Sequence, residues 1–372
     1  MAHMYNWQLE NWPSFDYKSK AIDDIVIEFA SETGEVKGII DSLPSDFRQD
    51  AIIQFMIDEA IKTSAIEGEY YIRQDVMSSI KNRLGIEDGA TIRDINARGI
   101  AELMVEVREN FSEPLSERLI KGWHAMLFSR SRYNQAGTYQ SGEEPMLIVS
   151  GRYGREEIHY EAPPSHRVPM EMKQFIHWYK EFDIENSDIR SSLIKTAIAH
   201  LYFETIHPFE DGNGRIGRAI ADKCLSESLG RVLVLSISTA IEQNKAEYYQ
   251  ALKMAQRSLN ITDWIVYFCK TILTAQKNAK AFIRFILKKA KFLDQHRENL
   301  NDRQLKVILK MFEKGVEGFE GGMTAKKYIS ITKTSKATAT RDLQDMTSKG
   351  ILKPQGGGRS VHYELNLKVN KF

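Results

Sequence analysis

Between residues 207 and 218 the chain reads His207-Pro208-Phe209-Glu210-Asp211-Gly212-Asn213-Gly214-Arg215-Ile216-Gly217-Arg218. A base, a carboxylate, glycines and two guanidiniums meet within one short stretch. A residue before proline is pushed out of the α region, so a helix ends near Ile206. Gly212 and Gly214 predict a tight turn whose backbone approaches a ligand closely, with a new helix following at once. The free N–H groups of a helix start favour an anion. Arg215 and Arg218, three apart, share one face of the first turn, where positive charge opposes the macrodipole. An anion offsets that charge, and guanidiniums beside a Gly-rich turn point to phosphate, polyphosphate in particular. Asp211 would bring a hard cation that bridges phosphate oxygens, and magnesium fits best. His207, with an ordinary pKa of about 6.5, suits taking a proton from a hydroxyl nucleophile. Each residue alone reads equally well as part of a capped helix with surface arginines; their concentration carries the chemistry.

The elements that must position them read mostly as helix. Ile52, Ile53, Met56, Ile57, Ala60, Ile61 and Ser64 recur at helical spacing and stop at Gly68. Further helices are predicted over 115–128, 193–205, 216–224 with a stop at Gly230, 246–258 and 264–292. Residues 145–150 are β-prone and 157–161 return as a second strand before Pro163-Pro164, predicting a small hairpin. Such a hairpin is marginal alone and reads as a ligand or partner contact, or as a packing excursion.

Composition bounds the rest. Of 372 residues, 42% are hydrophobic and 27% charged, which excludes dominant disorder. Two cysteines, Cys224 and Cys269, exclude a disulfide scaffold and a CxxC metal site, and both read as buried thiols. The apolar runs are too short to span a bilayer and the start does not resemble a signal peptide, so a cytoplasmic protein without a membrane partner is expected. The net charge of +1 conceals a split: Asp302 to Phe372 carries +7 and the preceding residues −6. A boundary near residue 300 follows, with different partners for the two parts.

The 207–218 stretch resembles the signature of the Fic family, His-x-Phe-x-Asp/Glu-Gly-Asn-Gly-Arg-x-x-Arg, with every fixed position present. Ala136-Gly137-Thr138-Tyr139, the hairpin and Tyr160-Glu161-Ala162-Pro163-Pro164 are similar to the family's flap region, and Asn244, Tyr248 and Tyr249 to its segment beyond the core. The resemblance implies a mainly α fold: a Fic helical core with a small β-hairpin flap, plus a C-terminal winged helix-turn-helix domain. Residues 1–105 would form an N-terminal helical region carrying an inhibitory helix, 106–298 the catalytic core and connecting helix, and 299–372 the winged domain.

The implied reaction is transfer of AMP from ATP to a Ser, Thr or Tyr hydroxyl of a target protein. His207 would be the base, Phe209 the loop anchor and Asp211 the magnesium ligand. Gly212, Asn213, Gly214, Arg215, Arg218, Tyr248 and Tyr249 would bind ATP. Met146, Leu147, Ile148 and Val149 of the flap would dock the target. Gln140 departs from the family, which often has arginine there, and puts flap contacts and target preference in question. Alternatives are a DNA-binding regulator whose core senses nucleotide, transfer of another phosphate-containing group, or removal of AMP. A homodimer is a further expectation.

Glu67 falls at a helix C-terminus, where the macrodipole disfavours an anion. It is the mirror image of the misplaced arginines, and the two could satisfy each other. Thr63-Ser64-Ala65-Ile66-Glu67-Gly68 also resembles the Fic inhibitory motif, Ser/Thr-x-x-x-Glu-Gly/Asn. That resemblance implies that Glu67 pairs with Arg218 and excludes the γ-phosphate, with Thr63 and Gly68 completing the motif.

In the basic tail, helices are predicted over 303–314, 324–330 and 335–349. Residues 351–354 and 359–365 read as two strands of a wing, similar to winged helix-turn-helix domains. Thr338, Thr340 and Arg341 would lie near base edges and Lys336 and Arg359 near phosphates, if the partner is DNA. A protein-docking or dimerising module is the equal alternative.

Overall fold

The computed structural model describes residues 4–86, 92–129, 135–143, 145–152, 155–182, 188–313, 318–357 and 360–367. The chain divides into two compact units, residues 1–34 with 52–277, and residues 35–51 with 278–372. Its helices are α1 Asp23–Ser42, α2 Ser45–Ile66, α3 Arg73–Arg83, α4 Ile95–Glu109, α5 Glu117–Leu127, α6 Val168–Glu181, α7 Ile189–Ile206, α8 Asn213–Ser228, α9 Ile237–Gln243, α10 Lys245–Ala255, α11 Thr262–His296, α12 Asp302–Phe312, α13 Ala325–Thr332 and α14 Lys336–Ser348. None among the described residues is long and apolar enough to cross a membrane.

In the first unit α7 and α8 are buried along nearly their whole lengths, and apolar residues from α2 to α8 close around them. Local chemistry starts these helices. Ser116 accepts from the Leu119 N–H at the start of α5, and Asp188 from the Ser191 N–H at the start of α7. Cys224 and Cys269 are buried free thiols. The predicted hairpin is present: β1 Leu147–Arg152 pairs antiparallel with β2 Arg155–Glu161, with an irregularity between Ile148 and Val149. β1 lies two residues further along than the sequence pattern indicates, and β2 starts two residues earlier.

The N-terminal residues brace that hairpin. Trp7 Nε1 donates to the Glu161 carbonyl at 2.8 Å, Tyr5 packs edge-on against Tyr160, and Met146 and Ile148 join the same apolar cluster. Tyr160 Oη donates to the Thr205 carbonyl at 2.6 Å, two residues before His207. A lone hairpin therefore gains the packing it needs from a distant piece of chain.

In the second unit α12, α13 and α14 enclose Val307, Ile308, Phe312, Tyr328, Leu343 and Met346. β3 Leu352–Gln355 pairs antiparallel with β4 His362–Leu365. Asn301 and Gln304 form a capping box on α12, Thr324 caps α13 and Ser335 caps α14. Lys336, Thr340 and Arg341 are exposed on α14 and Thr338 is half-buried; Arg359 lies outside the described residues. The hydroxyl of Thr340 donates to the Lys336 carbonyl, one turn back.

Candidate active site

The turn between α7 and α8 is built by glycine and a clamped loop. Gly212 has φ +81, and a β-carbon there would also meet Phe128 Cε2 at 2.6 Å, so glycine is required twice over. Gly214, expected in the turn, is instead the second residue of α8. Asn213 spends its side-chain amide on the loop: its Oδ1 accepts from the Phe209 N–H at 2.9 Å and its Nδ2 donates to the Phe209 carbonyl at 2.7 Å. Phe209 is fully buried and stacks on His124 at 4.0 Å between ring centroids. His124 Nδ1 accepts from the Gly137 N–H, which leaves Nε2 to donate to the Asp211 carbonyl at 3.2 Å. Gln140 donates from Nε2 to the His207 carbonyl at 3.1 Å. The residue that departs from the family pattern thus holds the loop.

His207 caps α7 in the left-handed conformation, φ 50, uncommon for a non-glycine residue. Burial pushes its imidazole down to about 4, against a hydrogen bond to the backbone carbonyl of Glu204 and the charges of Glu67 and Asp211, all of which raise it. The ring is therefore neutral near pH 7 and able to accept a proton.

Arg215 and Arg218 are both buried. Arg218 donates from Nε to Thr63 Oγ1 at 2.7 Å, and from Nη2 to the Thr63 carbonyl at 2.9 Å and Glu67 Oε1 at 2.7 Å. Burial disfavours charge on Glu67, but Arg218 outweighs it and holds the carboxyl below its usual range. Likewise burial works against the Arg218 charge and Glu67 more than restores it. The carboxylate lies where a side chain on Gly214 would be: a β-carbon there would meet Glu67 Oε1 at 2.1 Å.

Arg215 pairs with Glu69 at 2.7 Å, approaches Asp211 Oδ1 at 3.5 Å and lies over the Phe128 ring. Glu69 also accepts from the Tyr71 hydroxyl. Lys245 Nζ and Tyr249 Oη both donate to the Ile66 carbonyl at the end of α2, so the carbonyl before Glu67 is held by cations and hydroxyls of α10. Tyr248 is buried and bonds His200 Nε2 at 2.9 Å.

Beside these groups lies a cavity of about 730 Å³ whose walls include Glu67, His207, Asp211, Gly214, Lys245 and Tyr249. Ile148 reaches it from the flap, whereas Leu147 is exposed and Met146 packs in the N-terminal cluster; the side chain of Val149 lies outside the described residues. Asp211 keeps its side chain 53% exposed, with Oδ1 accepting from the Gly212 N–H at 2.6 Å. One outward carboxylate on the wall of this cavity fits magnesium, which usually takes one or two carboxylates with phosphate oxygens and waters. Glu69, His124, Lys245 and Glu204 escaped the sequence reading. Only Glu69 carried a signal, two residues past Glu67 and again next to a helix end.

A helical core thus carries a histidine at one helix end and two buried arginines in the first turns of the next helix. Residues 114–225 match the Fic/DOC family, and residues 5–86 match a domain of unknown function, DUF4172. A probable protein adenylyltransferase of Aquifex aeolicus is 26% identical over 160 residues; the match spans 43% of this chain and 43% of that relative, less than half of each. In fold, the chain is similar to a Fic family protein from Desulfovibrio desulfuricans, with TM-score 0.57 and 18% identity over 96% of this chain and 99% of that one. It is also similar to a Fic domain containing signaling protein from Bacteroides thetaiotaomicron, with TM-score 0.51 and 17% identity over 73% and 97%. The match to the Fic/DOC family is carried by residues 114–225, the segment that holds α5 to the greater part of α8.

Proposed function

We propose that this protein transfers AMP from ATP to a hydroxyl of a target protein, and that Glu67 restrains the transfer. The observation that carries the reading is His207, its imidazole lowered by burial toward the neutral form, on the wall of a cavity lined also by Gly212, Asn213 and Gly214 at the start of α8 and by Glu67, whose carboxylate holds the buried Arg218 behind it. His207 takes the proton of the attacking hydroxyl. The hydroxyl oxygen forms a bond to the α-phosphorus, the bond from that phosphorus to the bridging oxygen breaks, and pyrophosphate leaves. The N–H groups of Asn213, Gly214 and Arg215 precede the first intrahelical acceptors and meet phosphate oxygens. Arg215 and Arg218 stabilise charge on the leaving phosphates. Magnesium, when bound, neutralises phosphate charge, and Asp211 is the residue that would hold it.

Arg218 serves either Glu67 or a phosphate, and that competition is the restraint. The flap aligns the target strand along β1, with Leu147 and Ile158 as its exposed apolar residues. The C-terminal helices and hairpin form a winged helix-turn-helix module that binds DNA, supported by exposed Lys336 and Arg341 on α14. The test is mass spectrometry after incubation with ATP and magnesium, using wild type, Glu67→Gly and the Glu67→Gly/His207→Ala pair. An adduct of one AMP that rises about tenfold or more in Glu67→Gly, a gain of roughly 1.4 kcal/mol, and vanishes with His207→Ala is the expected result. No adduct in any form, with lysate targets supplied, would instead favour a nucleotide sensor.

A further inference from the structure

Glu204 sits in the last turn of α7, three residues before His207, and is 5% exposed. Its Oε2 stands 4.0 Å from His207 Nδ1, and its Oε1 has no hydrogen-bond partner. A buried carboxyl with an orphaned oxygen needs an explanation. Gly217 makes the room for it, since a β-carbon there would meet Glu204 Oε1 at 2.2 Å. Gly217 immediately precedes Arg218 on α8, so the carboxyl lies against the part of the helix that carries this guanidinium.

The groups around Glu204 come from every neighbouring element. They are Arg218 of α8, Glu67 beyond α2, His207 at the end of α7, Tyr248 and Tyr249 of α10, and His200 beside Gly217. Burial raises Glu204 to about 8; Arg218 pulls it down and Glu67 pushes it up. While Glu67 holds Arg218, a second carboxylate would be a buried charge in excess. Once Glu67 leaves, the balance reverses, because Arg218 is 1% exposed and a buried guanidinium without a counter-ion is strongly unfavourable.

We propose that Glu204 is the reserve counter-ion of Arg218: it keeps its proton while Glu67 holds the guanidinium, releases it when Glu67 withdraws, and regains it when a nucleotide phosphate takes Glu67's place. The proton exchanges with solvent through the cavity that Glu204 lines. Only the last step rests on reading Arg218 as a phosphate contact.

The experiment is a pH titration of the full chain labelled with 13C-glutamate, in which Glu204→Gln assigns the Glu204 carboxyl. In Glu67→Gln its midpoint falls by about one pH unit or more below wild type, the shift typical of losing a nearby like charge. Glu67→Gly repeats the measurement without an amide oxygen near Arg218, and also serves if Glu67→Gln does not fold. A midpoint unchanged or raised in the variant overturns the proposal. Saturating ATP then returns the midpoint toward the wild-type value, and one that stays low in the ATP-bound variant overturns the final step. The first comparison contains no nucleotide, so a failure of ATP to bind would count against the phosphate reading alone.

Discussion

Glu67 Oε1 stands 2.7 Å from Arg218 Nη2 in the space that Gly214 leaves by lacking a β-carbon. Three residues far apart in sequence or on successive helical positions therefore form one steric and electrostatic unit. Gly214 serves this pair as much as the backbone turn from which the sequence reading placed it.

That unit predicts a measurable coupling. Gly214→Ala in wild type forces Glu67 off its position and destabilises the fold by about 1–3 kcal/mol, the usual range for overpacking. In a Glu67→Gly background the 2.1 Å obstruction is gone and only Arg218 Nη1, at 3.0 Å, must give slightly, against a gain of up to about 1 kcal/mol for alanine over glycine within a helix. Denaturant unfolding of the four proteins should give a coupling of at least about 1 kcal/mol. Additive effects would show that the carboxylate does not occupy this space.

Asn213 is predicted to act on the loop, not on the ligand. Its two buried hydrogen bonds satisfy both backbone groups of Phe209. Asn213→Ala leaves both unpaired and costs about 2–4 kcal/mol, and Asn213→Asp, which buries a carboxylate oxygen against the Phe209 carbonyl, costs at least as much. Equal midpoints for all three proteins in urea would remove the clamp from the account.

Stability depends on pH in two opposite ways. Glu204 has a raised folded value, about 8 against 4.5, so the native state binds the extra proton between those values. Its contribution is complete below about 4.5 and is lost as pH rises through 8. Glu204→Gln should remove this loss and stabilise the protein at pH 8 by on the order of 3–5 kcal/mol relative to wild type. His124, His200 and His207 are lowered by burial to about 4, 3 and 4 from 6.5, so the unfolded state binds more protons there. Their contribution is present above 6.5 and is lost as pH falls through 4 and then 3. Thermal unfolding across pH 3–9 checks both arms; a Glu204→Gln curve parallel to wild type above pH 5 would contradict the assignment.

The C-terminal helices are predicted to bind duplex DNA in a salt-dependent manner. Replacing Lys336 or Arg341 by alanine in the full chain should weaken binding and lower the slope of log K against log salt by about one unit each, as expected for a lost phosphate contact. Mobility shifts at several salt concentrations measure this. No binding by wild type at low salt would favour protein docking.

The reach of the sequence is clearest where chemistry is local. The base, the glycine turn and the arginines lie on one continuous helix–turn–helix, so their spacing alone brought them together. Capping, proline and helical periodicity likewise revealed α2, α7 and α8, because each acts within a few residues. The helix-end charges indicated that Glu67 and the arginines of α8 could satisfy each other, and the resemblance to the inhibitory motif singled out Arg218, 151 positions away. The flap showed the converse. Its pattern was visible, but its support by Tyr5 and Trp7 was not, since no local rule joins residues about 150 positions apart.

By itself the sequence determined that a histidine, a glycine turn and two arginines meet where one helix ends and the next begins. Only the tertiary structure decided their surroundings: that Asn213 serves the loop, that Glu69 holds Arg215, and that burial lowers the His207 imidazole and raises the Glu204 carboxyl. The physical reason is that protonation and pairing depend on desolvation and on charges from other segments. Those quantities exist only after distant parts of the chain have packed together.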